Sequence, residues 1–403
     1  YGNFWSVGAA WNLSQEDFFS NLTFVDNFRL RASYGESGNS AIGLNQYLTL
    51  IYFDADYAGS GAGYPVNIGN EELTWEKNKT IDVGIDFAFM QNLVSGSISY
   101  YNKNTFDLLQ TVPLSAVTGH ASDLKNAGEI KNSGLEAIIN FEIIRTKDLN
   151  LNLSLNFATL NNEVMALATY ADGSDITVKT GTTKLEVGHP VREWHMRTWA
   201  GVDPETGLPQ WYLNGVDGEV TNNYYEAEEV FQGSSAIPTY SGGAALHVDY
   251  KGVYFDANVY FAGGHQIYED WSFYTHHAGY YPTYAYQGVA ELMDRWQQPG
   301  DVTDVPKQVF DGTGNNASRT STRFLYDGDY IRLKDLVLGY NLPKNLVSKL
   351  KLDGVSIYAR GTNLFTYCFD DRLKYDPEVR ADGFTRLTNP PIKSISFGLN
   401  LNF

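Results

Sequence analysis

Aromatic side chains with the potential to bind a ligand are concentrated between Tyr268 and Tyr286. The segment also contains the adjacent pair His276 and His277. Its candidate binding residues are Trp271, Phe273, Tyr274, Tyr280, Tyr281, Tyr284 and Tyr286. Flat rings with polar edges suit the apolar faces of sugars and pack with little loss of side-chain entropy. The segment therefore predicts a contact for a glycan or a peptide, although a loop packed on its own rings, which we favour, explains the same residues.

The sequence contains few signs of a metal site or a catalytic site. Neighbouring histidines are not spaced as metal ligands, and the chain has no CxxC or HExxH pattern. Turn formation explains the acidic segments 203–205 and 301–304 better than calcium binding does. We find no GxSxG elbow, no phosphate-binding loop and no nucleophile with a base at motif spacing. The sequence therefore predicts no catalytic site, no metal and no cofactor.

Charge and cysteine content narrow the possible partners. The 403 residues carry a formal net charge of −18, which argues against binding nucleic acid through a basic surface.

Cys368 is the single cysteine, so no intrachain disulfide forms, and we expect it in a loop. Tyr1 to Leu13 reads as a strand already in progress and not as a signal peptide, so we expect a processed chain or a fragment.

The polarity of the side chains alternates along the chain with a period of two residues. Between Ile395 and Phe403 every odd residue is apolar and every even residue is Ser, Gly or Asn. This alternation predicts a strand with one face in lipid and the other in a polar space. In several strands the apolar row is about as long as a tilted strand needs to cross a bilayer. No apolar stretch is long enough for a spanning helix.

The same alternation gives about eleven strands over the chain. Tight turns are predicted at Gln91 and Asn92, at residues 146–148 and at residues 250–252. The alternation changes phase near Lys334 and Asp335, which predicts a β-bulge. The predicted strands lie near residues 5–11, 28–34, 81–89, 94–109, 135–143, 149–159, 240–249, 253–261, 330–340, 355–362 and 394–403.

The polar faces of these strands carry charges of both signs. The residues are Arg29, Arg31, Asp82, Asp86, Glu136, Glu142, Asp256, Arg332 and Arg360. Mixed signs argue against a selectivity ring of one charge. We expect these side chains to stay hydrated, so that individual ion pairs contribute little to stability.

Long and short connections alternate along the chain. The long ones cover residues 37–73, 110–133, 164–237, 264–324 and 366–392. Outer-membrane barrels have this asymmetry between outer loops and periplasmic turns. An odd number of strands leaves open edges, which lipid does not tolerate. We therefore predict an all-β, transmembrane antiparallel β-barrel in which these strands are half of about 22.

Several segments together resemble the SusC-like TonB-dependent transporters of Bacteroidota. No one segment is specific, but their order along the whole chain is. They are Leu30-Arg31-Ala32-Ser33-Tyr34-Gly35, Asn70-Glu71-Glu72-Leu73-Thr74-Trp75-Glu76-Lys77, Asn132-Ser133-Gly134-Leu135-Glu136, Gly201-Val202-Asp203-Pro204-Glu205-Thr206-Gly207, Tyr330-Ile331-Arg332-Leu333-Lys334, Leu338-Gly339-Tyr340-Asn341-Leu342-Pro343, Asn363-Leu364-Phe365-Thr366 and Tyr375-Asp376-Pro377-Glu378.

The resemblance implies a channel in the outer membrane. In this family a barrel of 22 strands encloses an N-terminal plug that contacts TonB, and a SusD-like lipoprotein covers the mouth. Such pairs import oligosaccharides or peptides and commonly assemble as dimers of pairs. Residues 1–403 would be the C-terminal part of the barrel, with the plug and the first strands outside this chain. The polar-face charges would then be contacts for the plug or a hydrated wall, and the aromatic segment could also face the lipoprotein.

Two other classes of protein are compatible with the sequence. An outer-membrane barrel enzyme would need a Ser or Asp with a His near the outer rim. A cell-surface, all-β binding module would be released from membranes by salt or carbonate without detergent. We expect a transport protein that works by binding and gating.

Overall fold

The computed structural model describes residues 2–40, 43, 45–170, 172–279, 286–310, 314–386 and 389–403. The chain divides into two compact units. The first comprises Tyr1–Arg145, Asn152–Val178 and Leu185–Val191, and the second comprises Thr146–Leu151, Lys179–Lys184 and Arg192–Phe403.

Long antiparallel strands that pair in chain order form the first unit. They are β1 (Ser6–Asn12), β2 (Val25–Asn39), β3 (Glu76–Phe89), β4 (Val94–Phe106), β5 (Glu129–Arg145) and β6 (Leu149–Thr159), of which β6 begins in a segment of the second unit. The start of β5 also pairs with a short strand, Asn161–Ala166. This arrangement makes each neighbour in sequence a neighbour in the sheet.

The second unit contains five further long strands. They are β7 (Tyr240–Tyr250), β8 (Val253–Gly263), β9 (Tyr330–Asn341), β10 (Gly354–Cys368) and β11 (Ser394–Asn402), again antiparallel and in chain order. The register of β9 shifts between Leu333 and Asp335 against both of its neighbours. The predicted bulge at Lys334 is therefore confirmed.

Six long strands in one unit and five in the other match the predicted count of about eleven. Several extend further than predicted, because β2 continues to Asn39 and β5 begins at Glu129, inside a predicted loop. The turn after β3 has four residues, not two, and Met90, Gln91 and Asn92 all have positive φ values of 55°, 61° and 65°. Cys368 is the last residue of β10, so its predicted place in a loop is wrong.

The connections between the long strands, including the predicted long loops, have secondary structure of their own. Their short strands are Ile51–Tyr57, Ser60–Pro65, Leu109–Pro113, Ser122–Asn126, Asn161–Ala166, Val178–Thr180, Thr183–Leu185, Glu193–Arg197, Trp199–Val202, Pro209–Tyr212, Val220–Thr221, Glu229–Ser235, Gln266–Glu269, Leu325–Asp327 and Phe384–Thr385. The two α-helices among the described residues are single turns, Ser272–Thr275 and Lys344–Val347. Short 3₁₀ helices cover Leu13–Gln15, Asp17–Phe19, Ala116–Thr118, Ala290–Asp294, Gly314–Asn316, Thr322–Phe324 and Ser348–Leu350. None of the helices in the described ranges is long and apolar enough to cross a membrane.

Most of the buried apolar residues lie in the connections; those on the long strands are Ala88, Ala262, Tyr330 and Val355. One cluster joins Trp194, Met196 and Phe324, and another joins Ile267, Tyr326 and Leu373. By contrast, the predicted lipid-facing row of β11 is open: Ile395 is 68% exposed and Phe397 is 82% exposed. A folded protein that leaves an apolar row of a strand exposed in this way is adapted to an apolar solvent.

On the polar face, tyrosines lie over glycines of neighbouring strands. Tyr254 is paired with Gly339, Gly339 with Tyr358, and Tyr358 with Gly398. A Cβ atom added at Gly339 would lie 2.2 Å from the ring of Tyr254, and one at Gly398 would lie 2.2 Å from the ring of Tyr358. The glycines therefore provide the space in which the rings pack across the strands.

Candidate functional site

The predicted charges on β2 and β3 form one cluster. Arg31 Nη1 lies 2.5 Å from Asp82 Oδ1 and Arg31 Nε lies 3.3 Å from Asp86 Oδ1. Arg29 Nε approaches Asp86 at 4.0 Å. A Cβ atom at Gly84 would lie 2.6 Å from the guanidinium carbon of Arg31, so this glycine gives the arginine room to cross the strand. Side-chain exposures of about 30% keep the Arg31 pairs in contact with water, as expected.

Three other charged residues of the polar faces lie near residues of their own strand or of the strand paired with it. Glu142 pairs with Arg145 at 3.1 Å near the end of β5. Asp256 Oδ1 lies 2.6 Å from His247 Nδ1 on the paired strand. Glu136 is exposed and lies opposite Ser99 in the register of β4 and β5. These residues are polar positions on separate strands, and none joins the cluster around Arg31.

Arg332 contradicts the expectation of a hydrated wall. Its side chain is 1% exposed, and it binds Asp376 at 2.5 Å and Glu378 at 3.1 Å. Both carboxylates belong to the segment that follows β10, so the arginine attaches that segment to β9. Arg360, the remaining predicted wall residue, is 53% exposed and binds Asp335 at 2.7 Å, as a hydrated pair would.

Part of the predicted aromatic set forms a cluster of rings. The ring centroids of Trp271 and Tyr274 are 5.1 Å apart, and those of Tyr274 and Tyr286 are 4.8 Å apart. Phe273 meets Tyr274 edge-on at 5.3 Å. Tyr286 is 46% exposed, whereas the other three rings are partly buried. Tyr280, Tyr281 and Tyr284 lie outside the described residues.

A buried carboxyl group beside this cluster was not predicted. Glu269 is 1% exposed, and its oxygens accept hydrogen bonds at 2.9 Å from the hydroxyls of Tyr326 and Tyr375. Burial raises the pKa of Glu269, while the hydroxyl donors act in the opposite direction. No sequence period links residues so far apart. The only sequence feature near them was Tyr375, which opens a segment that resembles the family.

Of the two adjacent histidines, His276 lies close to the buried Glu269. His276 Nδ1 lies 3.5 Å from Glu269, and burial together with Arg323 and His277 lowers the pKa of His276 to about 4. The imidazole is therefore neutral at ordinary pH. Within the described part of the chain, no three His, Cys, Asp or Glu side chains are grouped to hold a metal ion.

The acidic segments considered for calcium form turns. Asp203 accepts the amide of Glu205 at 2.9 Å and the hydroxyl of Thr206 at 2.6 Å, and these hydrogen bonds lower its pKa. Asp301 accepts the amides of Gln297 and Gln298, each at 2.9 Å. Both aspartates therefore stabilise local backbone.

Comparison with known families gives a match over most of the chain. The family model described as "TonB dependent receptor-like, beta-barrel" matches residues 1–364. The chain is 30% identical over 441 residues to the TonB-dependent receptor P3 of Formosa agariphila, covering 100% of the chain and 42% of that receptor. It is 26% identical over 428 residues to the TonB-dependent receptor SusC of Bacteroides thetaiotaomicron, covering 100% of the chain and 40% of SusC.

Solved structures show the same relationship. The RagAB peptide transporter matches with a TM-score of 0.85 and 27% identity, covering 99% of this chain and 43% of the transporter chain. A structure of the RagAB peptide importer in its open-open state also gives a TM-score of 0.85. The chain thus spans less than half the length of the relatives that it matches. On the family match and the antiparallel strands described above, the chain belongs to the TonB-dependent receptor-like β-barrels, and it is a transmembrane protein of the outer membrane.

Proposed function

We propose that the protein containing this chain is a SusC-like channel that imports oligosaccharides or peptides across the outer membrane. The observation that carries the proposal is the match to the RagAB peptide transporter, with a TM-score of 0.85 over 99% of the chain. A SusD-like lipoprotein would cover the mouth, and TonB would supply energy through a plug outside this chain. A dimer of such pairs would be the assembled form.

In this proposal residues 1–403 are the C-terminal part of a barrel of about 22 strands. Import needs binding and gating but no bond-making, and the relatives are named as receptors and transporters. Mixed charges on the lumen wall suit this role, because half-hydrated pairs such as Arg31 with Asp82 exchange partners at low cost. A plug could therefore dock on them and leave again.

The aromatic cluster is the proposed cargo contact in this chain. Tyr286 is the open edge of the cluster, and Trp271 and Tyr274 form its partly buried base. Replacing both Trp271 and Tyr274 by Ala should weaken binding of cargo to the purified complex. Unchanged affinity would assign the cluster to loop packing or to contact with the lipoprotein.

Uptake by the native bacterium tests the proposed function. Deletion of the full gene should abolish uptake of a labelled oligosaccharide or peptide mixture, and the intact gene should restore it. Removal of TonB or collapse of the proton gradient should have the same effect. The lipoprotein should copurify with the channel in detergent. Uptake that continues without the gene would refute import, and hydrolysis of the substrates by the purified complex would favour a barrel enzyme.

A further inference from the structure

A cavity of about 440 Å³ lies within the second unit, next to the buried Glu269. Its apolar lining comes from Trp199, Val289, Val305 and Phe324. These residues are distant in sequence and come from separate connections between the long strands. The volume is within the range of small-molecule sites, which combine apolar walls with a few polar groups.

Arg323 contributes a partly buried positive charge to the lining of this cavity. It is partly buried, and its Nη1 donates a hydrogen bond to the carbonyl of Ala317 at 2.9 Å. The guanidinium lies 5.0 Å from the ring centroids of both Trp199 and Phe324. No carboxylate lies within ion-pair distance of it in the ranges that the structure describes. A guanidinium has five N–H donors, so most of those on Arg323 remain available.

The charge on Arg323 persists at neutral pH. Burial lowers the pKa of the guanidinium to about 10, with Asp304 and Glu269 acting in the opposite direction. Glu269 acts on Arg323 electrostatically without an ion-pair contact, and its oxygens accept the hydroxyls of Tyr326 and Tyr375. A partly buried cation without an anionic partner is costly, and a bound carboxylate would offset that cost.

The other two basic residues of the cavity, Arg372 and Lys374, are both exposed to solvent, whereas Arg323 is partly buried. Arg372 Nη2 binds Asp370 at 2.7 Å, and Lys374 Nζ donates to the carbonyl of Asp371 at 2.5 Å. Glu291, Asp304 and Asp371 also line the cavity and are exposed. Arg323 is therefore the group best placed to bind an anion inside the cavity, while the exposed acids disfavour a ligand with several negative charges.

We propose that this cavity is a subsite for a single carboxylate of the cargo, with Arg323 binding the carboxylate and the apolar walls holding the adjoining group. The inference rests on the proposed import function and adds the chemical feature that is recognised. A peptide C-terminus and the uronic acid of an oligosaccharide both supply such a carboxylate, and both geometries suit a planar guanidinium.

Calorimetric titration of the purified full-length complex tests the subsite. The probes are the peptide Gly-Gly-Leu and its C-terminal amide, and a uronate disaccharide and its neutral hexose counterpart. Loss of a hydrogen bond between charged groups corresponds to about 10- to 100-fold in affinity. We therefore expect the free acid of one pair to bind at least about tenfold tighter than its neutral analogue. The pair that responds identifies the source of the carboxylate.

Three variants assign the effect to Arg323. Arg323→Gln should abolish the preference for the acid, and Arg323→Lys should retain part of it. Arg319→Gln is the matched control, because Arg319 stacks on Tyr224 and Tyr225 and does not line the cavity. If Arg323→Gln fails to fold, Val289→Phe fills the cavity without removing charge and should weaken both members of the responding pair.

The result separates the subsite from the import function. Equal affinity for acid and neutral probes, or an acid preference that survives in Arg323→Gln, overturns the subsite even if uptake depends on the gene. A preference that Arg323→Gln removes supports the subsite even if uptake proves independent of the gene. In that case the import proposal fails and carboxylate binding stands.

Discussion

Arg31 and Arg332 each lie on a long strand and each bind two carboxylates, yet their surroundings differ. The partners of Arg31 are on the neighbouring strand of the wall, and all three side chains are about 30% exposed. Arg332 is 1% exposed and binds a segment beyond β10. Water reaches the side chain of Arg31 but not that of Arg332. The ion pairs around Arg31 can therefore exchange partners, whereas Arg332 fixes the segment after β10 to β9.

The largest effect should follow loss of Arg332. Arg332→Met removes the charge-assisted hydrogen bonds to Asp376 and Glu378, of which Glu378 keeps Lys334 at 2.6 Å. Since each such bond contributes about 1.5–3 kcal/mol, we expect the attached segment to be destabilised by about 3 kcal/mol. Faster amide hydrogen exchange over residues 370–386 would measure it. The control is Arg360→Met, since Arg360 is 53% exposed and its loss should have little effect. Similar exchange in both variants would remove the distinction between the two environments.

Acid should destabilise the region around His276. Its folded pKa of about 4 is below the usual 6.5, so the folded state binds fewer protons and stability is lost as pH falls from about 6.5 towards 4. A shift of this size corresponds to roughly 3 kcal/mol. Glu269 opposes it, because its raised pKa lets the folded state take up a proton in acid.

The variant His276→Gln should flatten the pH dependence of hydrogen exchange around residues 269–276. His247→Gln is the matched control, since that histidine is 43% exposed beside Asp256 on the wall. An unchanged pH profile in His276→Gln would show that another group titrates.

A smaller effect is expected where rings and glycines meet on the wall. Gly339→Val would force its side chain against Tyr254, and overpacking of this kind costs about 1–3 kcal/mol. Exchange of the β8 and β9 amides should increase. In a Tyr254→Ala background the same substitution should cost less, because the ring is gone. Equal costs in both backgrounds would contradict the packing described here.

The smallest effect should come from Arg31→Gln. A half-hydrated pair contributes about 0–1 kcal/mol, and salt should reduce the difference from the unsubstituted protein further. Urea unfolding of the full-length protein in detergent measures it. A loss of unfolding free energy as large as that of Arg332→Met would mean that Arg31 has a further buried partner and is held as firmly as Arg332.

The wall was predictable from the sequence because alternation is a local property. Trp11 and Leu30 reveal their face through their immediate neighbours, and the bulge at Lys334 appears as a change of phase. The connections were not predictable, since Glu269 meets Tyr326 and Tyr375 across 57 and 106 residues with no period to link them. Arg332 shows the same limit: its position on a polar face was evident, but its burial depends on a distant segment.

The alternation of β11 has a consequence for export. A spanning segment made of consecutive apolar residues would be recognised and retained by the inner membrane on its way out. Here a Ser, Gly or Asn separates each apolar residue from the next, and the mean hydropathy of the chain is only −0.30. The unfolded polypeptide can thus cross the inner membrane as a hydrophilic chain. Its apolar surface forms only when folding at the outer membrane places Ile395, Phe397 and Leu399 on one face of the strand.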